Sequence, residues 1–190
     1  MDGYKVVLLG SAYVGKSSMT RRFVYNSFNY RTESTIGASF YKKKLKINEM
    51  DIVMNIWDTS SNLKFSSLLP MYIRNASVVL LVYDITNIES FNKISSILLD
   101  VKRHIDIDEL TIMLVGNKSE LENRMVMYQE GKNYADQHNL LFMECSACTG
   151  ENVVEIFNEL ATAMVKKSPP KIEKNIILTN TVKEKDCCFL

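Results

Sequence analysis

A G-x-x-x-x-G-K-S motif at residues 10–17 constrains the fold of this chain more than any other feature. It follows a short apolar run at residues 6–9 and precedes a segment with helical spacing. A strand, a glycine-bounded loop and a helix in this order form a phosphate-binding loop, in which successive backbone N–H groups surround an anion. Lys16 can reach the outer phosphates, and Ser17 can offer its hydroxyl to Mg²⁺. The motif therefore predicts a phosphate site rather than an ordinary strand–turn–helix.

Length and composition indicate one soluble domain. The chain has 190 residues, of which 46% are hydrophobic and 24% charged, and its net charge is +1. This balance gives no reason to expect nucleic acid as a partner. Residues 1–5 lack the apolar core of a signal peptide, and no apolar run approaches the roughly 18 residues of a membrane span. We therefore expect a cytosolic origin, a domain at residues 1–167 and a flexible polar tail at residues 168–190.

Apolar runs alternate with helical patterns, which predicts an α/β fold with a mostly parallel sheet of six strands and about five flanking helices. Strands are predicted at residues 5–9, 39–47, 52–57, 78–83, 110–115 and 140–144. Helices are predicted at residues 16–25, 65–74, 88–104, 129–137 and 153–165. Lysines occupy alternate positions of the second strand, so we expect it to lie at the sheet edge and to pair antiparallel with the third.

Polar residues lie next to several predicted strands, at the sheet edge where ligands of parallel sheets bind. These residues are Thr35, Asp58, Asn117, Lys118 and Ser146, and Ala147 follows the last of them. Asp58 can hold Mg²⁺ through water, although alone it could be a helix cap. The Asn117-Lys118 pair alone could be an ordinary turn. In this order along the chain, the residues predict one composite site together with the phosphate loop.

With these motifs the chain resembles the Ras superfamily of small GTPases, and within it the Rab family. The Rab-type segments are residues 34–40, 57–59, 70–72 and 83–87, and the resemblance covers about residues 5–166. Residues 33–40, 69–72 and 140–144 are most similar to the early-endosomal branch. The resemblance implies a small G domain of the P-loop NTPase class that binds GTP or GDP with Mg²⁺ and acts as a switch in vesicle traffic.

The resemblance also assigns roles to individual residues. It implies nucleotide contacts for Ala12, Tyr13, Val14, Gly15, Lys16, Ser17, Ser18, Phe28, Thr35, Asn117, Lys118, Glu120, Ser146 and Ala147. It implies metal ligation by Ser17, Thr35 and Asp58, and catalytic roles for Lys16, Thr35, Ser61 and Asn62. The implied effector surface consists of Ile36, Gly37, Phe40, Trp57 and Tyr72. Trp57 could instead be an ordinary core residue.

The resemblance implies that the nucleotide site has a phosphate end and a base end. Lys16 would bind the β- and γ-phosphates, and the Phe28 ring would pack against guanine. Asn117 and Lys118 would hold the base, while the backbone of residues 146–147 would face its O6 atom.

The segment after Asp58 departs from the family pattern Asp-Thr-Ala-Gly-Gln-Glu. Ser61 stands in place of the glycine whose N–H meets the γ-phosphate, and its Cβ excludes some backbone conformations. Asn62, one methylene shorter, stands in place of the glutamine that positions the attacking water. Since hydrolysis in this class depends on positioning, we expect it to be slow or impaired.

Three further departures affect the nucleotide site. Glu120 replaces the aspartate that pairs with the guanine N1–H and N2–H₂ groups, which predicts weaker guanine binding. Cys148 replaces a lysine, and this removes a support for the loop after Ser146-Ala147. Tyr13 replaces a small residue in the phosphate loop, where it could cover the nucleotide or simply lie on the surface.

The four cysteines form two pairs with different interpretations. Cys145 and Cys148 make a C-x-x-C, but a zinc site would need two further ligands and the chain has only two histidines. Cys187 and Cys188 fit either one prenyl group on a C-a-a-X ending or two on a Rab-type ending. The weakly basic tail favours two, because one lipid chain binds membranes only marginally.

Three functions remain open from the sequence. The first is a prenylated, monomeric Rab-like switch on the cytoplasmic face of an endosomal or other vesicular membrane, with a cytosolic pool. Its partners would be an exchange factor, an activating protein, effectors and a prenylation or dissociation chaperone. The second is a non-cycling scaffold, favoured by Ser61, Asn62 and Glu120. The third, another P-loop enzyme, is disfavoured by the guanine-type motifs at residues 117–118 and 146–147.

Overall fold

A mixed six-stranded sheet lies at the centre of the protein, of which the computed structural model describes residues 3–30, 34–47, 49–60, 68–106 and 110–167. The strands are β1 (Tyr4–Gly10), β2 (Ala38–Ile47), β3 (Met50–Thr59), β4 (Val78–Asp84), β5 (Thr111–Asn117) and β6 (Leu141–Cys145). The helices are α1 (Lys16–Tyr25), α2 (Leu69–Ile73), α3 (Ile88–Asn92), α4 (Ile94–His104), α5 (Tyr128–Gln137) and α6 (Val153–Lys167).

The order of strands across the sheet is β2-β3-β1-β4-β5-β6, with only the β2–β3 pair antiparallel. Every residue of β4 is buried, as expected for a central strand covered on both faces. The carboxyl ends of β1, β3, β4, β5 and β6 therefore meet at one edge of the sheet. The loops that carry the predicted site residues lie along this edge.

Two hydrophobic clusters cover the two faces of the sheet. Odd and even residues of β1 point to opposite faces, so Val6 and Val7 enter different clusters. On one face α1 packs on α6, and the rings of Phe23 and Phe157 stack with their centroids 3.8 Å apart. On the other face α2, α4 and α5 contribute buried residues that include Leu98. These two layers hold the loops at the sheet edge from both sides.

The predicted fold class is confirmed. All six strands occur within one or two residues of their predicted bounds, and β2 is the edge strand, with Lys42, Lys44 and Lys46 exposed. The predicted helix at residues 88–104 differs, because Lys93 separates α3 from α4 while keeping helical dihedral angles (φ −70°, ψ −17°). No proline or glycine occurs in this segment, so the sequence carries no signal for the interruption.

Part of the predicted helix at residues 65–74 and the tail at residues 168–190 lie outside the described residues. Within the described part of the chain, no helix has both the length and the hydropathy needed to cross a membrane.

Candidate nucleotide-binding site

The phosphate loop runs from the end of β1 to the start of α1, and glycine is required at both of its ends. A Cβ on Gly10 would lie 2.1 Å from the Val82 carbonyl oxygen, and one on Gly15 would lie 2.2 Å from the Asn117 amide nitrogen. Gly15 also has a φ of 95° and caps the N-terminus of α1. Because both close contacts are with other strands, the loop lies directly against the sheet edge.

Lys16 lies inside this loop, with 6% of its surface exposed. Its ammonium donates hydrogen bonds to the carbonyl oxygens of Gly10 (3.0 Å) and Ser11 (2.9 Å). Burial lowers the pKa of Lys16 to about 8, while the nearby Asp58 carboxylate opposes the shift. An anion next to this ammonium would favour its charged form, so the position suits a phosphate.

Three oxygen-bearing side chains meet beside the first turn of α1. The hydroxyls of Ser17 and Thr35 lie 2.8 Å apart, and the Asp58 carboxylate lies close enough for Ser17 to lower its pKa. Asp58 is 1% exposed, and its Oδ1 has no hydrogen-bond partner within the described residues. Burial raises the pKa of Asp58, while Ser17 and Lys16 lower it.

This group of oxygens fits a magnesium ion. Adjacent oxygen ligands of an octahedral Mg²⁺ are separated by about 2.9 Å when each metal–oxygen bond is near 2.05 Å. The 2.8 Å between the hydroxyls of Ser17 and Thr35 matches that separation. A buried carboxylate oxygen without a partner also needs a cation or an ordered water. A cation suits this position, because the site lies beside the phosphate loop.

The opposite end of the cleft is organised around Asn117, the last residue of β5. Asn117 is 1% exposed, and its amide nitrogen donates to the Val14 carbonyl (2.8 Å). Its Oδ1 accepts the Ala147 N–H (3.0 Å) and lies 3.6 Å from the Cys145 sulfur. One side chain thus joins the phosphate loop to the loop after β6.

Further predicted residues line the base end of the same cleft. Glu120 is exposed at its rim, and the ring of Phe28 forms an edge contact with Tyr30 (centroids 5.0 Å apart). Lys118 forms an ion pair with Asp84, a residue that the sequence analysis did not assign to the site. Asp84 also accepts the backbone N–H and the hydroxyl of Thr86. The pattern Asp-x-Thr after a buried strand was the available signal, since such a carboxylate caps its own loop.

Most of the predicted nucleotide residues line this cleft, and two lie behind its wall. The lining residues are Ala12, Tyr13, Gly15, Lys16, Ser17, Ser18, Phe28, Thr35, Asn117, Lys118, Glu120 and Ala147. Val14 and Ser146 are buried, with 1% and 0% of their surfaces exposed. The Val14 carbonyl accepts a hydrogen bond from Asn117, and the Ser146 hydroxyl accepts the Thr149 N–H.

Two tyrosines form contacts across the mouth of the cleft. The Tyr13 hydroxyl accepts a hydrogen bond from Ser34 (3.1 Å), and the Tyr30 hydroxyl lies 3.4 Å from the Cys148 sulfur. Tyr13 is 76% exposed and has a φ of 61°, a conformation that is uncommon for a non-glycine residue. Tyr13 therefore both lines the cleft and reaches the segment next to Thr35.

Two of the predicted effector residues, Ile36 and Tyr72, line the cleft, and the three aromatic ones lie next to one another. The Phe40 and Trp57 rings make an edge contact (centroids 5.6 Å apart), and Trp57 approaches Tyr72 at 6.5 Å. Phe40 is 55% exposed, whereas Tyr72 is buried and Trp57 packs partly against the core. Ile36 and Gly37 follow Thr35 in the chain, and 89% of the surface of Ile36 is exposed.

Ser61, Asn62, Cys187 and Cys188 lie outside the described residues. Of the C-x-x-C pair, Cys145 is buried beside Met19 with its sulfur 3.7 Å from the methionine sulfur, and burial raises the pKa of its thiol. Within the described residues, no cluster of histidine, cysteine and carboxylate side chains has the composition of a metal site.

Comparison with known proteins gives consistent matches over nearly the whole described chain. The sequence model of the Ras family matches residues 5–166. The Ras-related protein Rab-17 of Homo sapiens is 42% identical over 166 residues, which cover 87% of this chain and 78% of that protein. The Ras-related protein Rab-17 of Mus musculus is 37% identical over 193 residues, which cover 97% and 90%. The family match contains both ends of the cleft.

Proposed function

Since the chain belongs to the Rab family of the Ras superfamily of small GTPases, we propose that it is a GTP/GDP switch of vesicle traffic with slow intrinsic hydrolysis. The observation that supports this most is the pair of hydroxyls of Ser17 and Thr35, 2.8 Å apart beside buried Asp58. Thr35 leads directly into exposed Ile36 and half-buried Gly37. A contact at the phosphate end can therefore control the shape of the neighbouring surface.

At the phosphate end, each residue has a separate task. Lys16 exchanges the loop carbonyls for β- and γ-phosphate oxygens, and the N-terminus of α1 adds backbone N–H donors. Ser17 and Thr35, with Asp58 through water, are the residues that would hold Mg²⁺. When bound, Mg²⁺ supplies positive charge that neutralises the phosphate oxygens.

At the base end, Asn117 and Ala147 line the part of the cleft where the purine would bind, and the Phe28 ring would cover one side of it. Glu120 keeps the two acceptor oxygens that a guanine N1–H and N2–H₂ pair requires, although its longer side chain must fold back to offer them. We infer that guanine is preferred over adenine, which has no donor at N1, and that the affinity is reduced by the added methylene.

Slow hydrolysis is proposed from the sequence, because Ser61 and Asn62 lie outside the described residues. A shortened amide at residue 62 displaces the water-positioning group by about 1 Å, which can reduce a rate on the order of 10²-fold. The roles assigned to Lys16 and Thr35 in charge stabilisation do not depend on this position. Nucleotide binding and nucleotide hydrolysis are therefore separable in this protein.

The test is single-turnover hydrolysis by GTP-loaded protein. Restoring the family pattern with Ser61→Gly and Asn62→Gln together is expected to accelerate hydrolysis on the order of 10²-fold. Asn133→Gln, an equivalent change at an exposed position of α5, is the matched control and is expected to leave the rate unchanged. An unaltered rate in the double variant would refute the proposed cause of slow turnover.

We also propose that the effector surface, Ile36, Gly37, Phe40, Trp57 and Tyr72, binds effectors when GTP is present. The exposed ring of Phe40, in edge contact with the half-buried ring of Trp57, supports this assignment. Prenyl groups on Cys187 and Cys188 would hold the protein on the cytoplasmic face of an endosomal or other vesicular membrane. Mass spectrometry of protein from its native cell tests this, and an unmodified C-terminus would remove the membrane anchor.

A non-cycling scaffold is the second candidate, favoured by Glu120 at the rim of the base end together with Ser61 and Asn62. Chromatography of the nucleotide released from purified protein, before and after incubation, separates the two. Conversion of bound GTP to GDP supports a switch that cycles. Retained GTP or an empty site supports the scaffold.

A further inference from the structure

The loop after β6 is held from the side of α1 by one arginine that no sequence motif singled out. Arg22 Nε donates to the Ala147 carbonyl (3.0 Å), and Arg22 Nη2 donates to the Cys148 carbonyl (2.6 Å). These two nitrogens form one edge of the planar guanidinium, so the arginine binds two successive carbonyls as a fork. The same loop carries the Ala147 N–H that meets Asn117 at the base end of the cleft.

The remaining guanidinium nitrogen fixes the other side of the group. Arg22 Nη1 donates to the backbone carbonyl (3.3 Å) and the side-chain oxygen (3.2 Å) of Asn26, the residue that caps the C-terminus of α1. The arginine side chain is half-buried, and it is therefore ordered at both ends by the protein itself. Two hydrogen bonds from an ordered guanidinium restrict the position of the loop more than a single bond from a flexible side chain would.

Two other observations show why the loop needs this support. Cys148 stands where the family has a lysine, and within the described residues its side chain has one hydrogen-bonding contact, with the exposed Tyr30 hydroxyl at 3.4 Å. The loop is therefore held through its carbonyls and not through the side chain at position 148. Arg22 also lies on the same helix as Lys16 and Ser17, about 9 Å further along the axis for six residues at 1.5 Å each.

We propose that Arg22 is a positioning residue for base recognition: it fixes the backbone of residues 147–148 so that the loop meets the six-position oxygen of a bound guanine. The proposal rests on the proposed guanine-nucleotide function. Because α1 begins at the phosphate loop, Arg22 also sets the distance between the phosphate end and the base end of the site. It does not touch the reacting phosphates, so its effect is on affinity and base choice.

The test compares two neighbouring arginines of α1 in the full chain. Arg22→Met keeps the aliphatic stem and removes every donor, and Arg21→Met makes the same change at an exposed position. We expect GDP release from the Arg22→Met variant to be about tenfold faster than from the Arg21→Met variant, since the two hydrogen bonds from the guanidinium to the loop are lost. Arg22→Lys keeps the charge without the fork and is expected to recover only part of the difference.

Base analogues separate a positioning role from a general loss of stability. Inosine diphosphate retains the six-position oxygen, so Arg22→Met is expected to reduce the affinity for it as much as the affinity for GDP. The diphosphate of 2-aminopurine riboside lacks that oxygen, so Arg22→Met is expected to reduce the affinity for it by no more than about threefold. The comparison follows a double-mutant cycle, in which the oxygen is removed from the ligand and the guanidinium from the protein. An arginine that only stabilises the fold would weaken all three nucleotides equally and lower the melting temperature.

Two outcomes would overturn the role of Arg22, and a third would overturn the proposed guanine-nucleotide function as well. Equal GDP release from the Arg22→Met and Arg21→Met variants, or equal losses for GDP and the 2-aminopurine nucleotide, would overturn the role of Arg22 alone. Failure of the unchanged protein to bind GDP would overturn the proposed function as well. If Arg22→Met does not yield folded protein, the same comparisons made with Arg22→Lys decide the question.

Discussion

The two ends of the nucleotide cleft are built differently. At the base end, Asn117 is 1% exposed and its bonds to Val14 and Ala147 join three separate segments inside the core. At the phosphate end, the segment around Thr35 is attached by the hydroxyl contacts Ser17–Thr35 and Ser34–Tyr13, next to an Ile36 that is 89% exposed. Buried bonds resist opening, whereas the part-buried Ser17–Thr35 contact and the exposed Ser34–Tyr13 contact compete more with water and contribute less. We therefore expect the fold to fix the base end, and the neighbouring surface to remain available for control by a nucleotide.

The largest effect should follow from breaking the base end. Asn117→Ala leaves the Val14 carbonyl and the Ala147 N–H without partners, at about 1–3 kcal/mol for each buried group. We expect GDP release to become about 100-fold faster and the melting temperature to fall by roughly 4–8 °C. Asn133→Ala, on the exposed face of α5, is the control for both measurements. A release rate within about threefold of that control would show that the base end is not held by Asn117.

A smaller effect should appear at the phosphate end as the pH is raised. The pKa of Lys16 is lowered to about 8 by burial, and a bound phosphate must raise it. The ammonium is thus already charged below pH 8, whereas above it binding must include uptake of a proton. The affinity for GDP should be constant below this pH and fall by up to about tenfold per unit above it.

Titration calorimetry between pH 7 and 9 measures this dependence. Lys16→Met is the matched variant, expected to bind more weakly and without the decline in alkaline solution. A decline of the same size in that variant would assign the titration to another group.

The smallest effect concerns the exposed contact between Tyr13 and Ser34. Tyr13→Phe removes only the hydroxyl, which at a site 76% exposed is worth about 0.5 kcal/mol, or a roughly twofold faster release of GDP. Tyr13→Ala also removes the ring, and a larger effect there would mean that the ring covers the nucleotide. Tyr25, 63% exposed and outside the cleft, gives the control variants Tyr25→Phe and Tyr25→Ala. If all four variants release GDP at the same rate, Tyr13 is only a surface residue.

Much of the fold followed from local chemistry. Alternating lysines on β2 predicted an exposed edge, and the continuous apolar run at residues 78–83 is typical of a central strand, because burial on one face or two leaves different patterns. The interruption of the helix at Lys93 could not be predicted, since no breaker residue occurs there. Asp84 and Arg22 were missed for a related reason, because each is an ordinary polar residue until its distant partner is known.

The sequence by itself determined the phosphate loop, the order of strands and helices, and the residue types available to the site. These features depend on residues that are neighbours along the chain, such as Gly15 beside Lys16, and short sequence motifs therefore predict them. Only the tertiary structure decided which groups meet, as in the bonds from Arg22 to Ala147, 125 residues away, and from Asn117 to Val14, 103 residues away. Such pairs are set by strand order and register, because the parallel strands bring remote loops to one edge of the sheet.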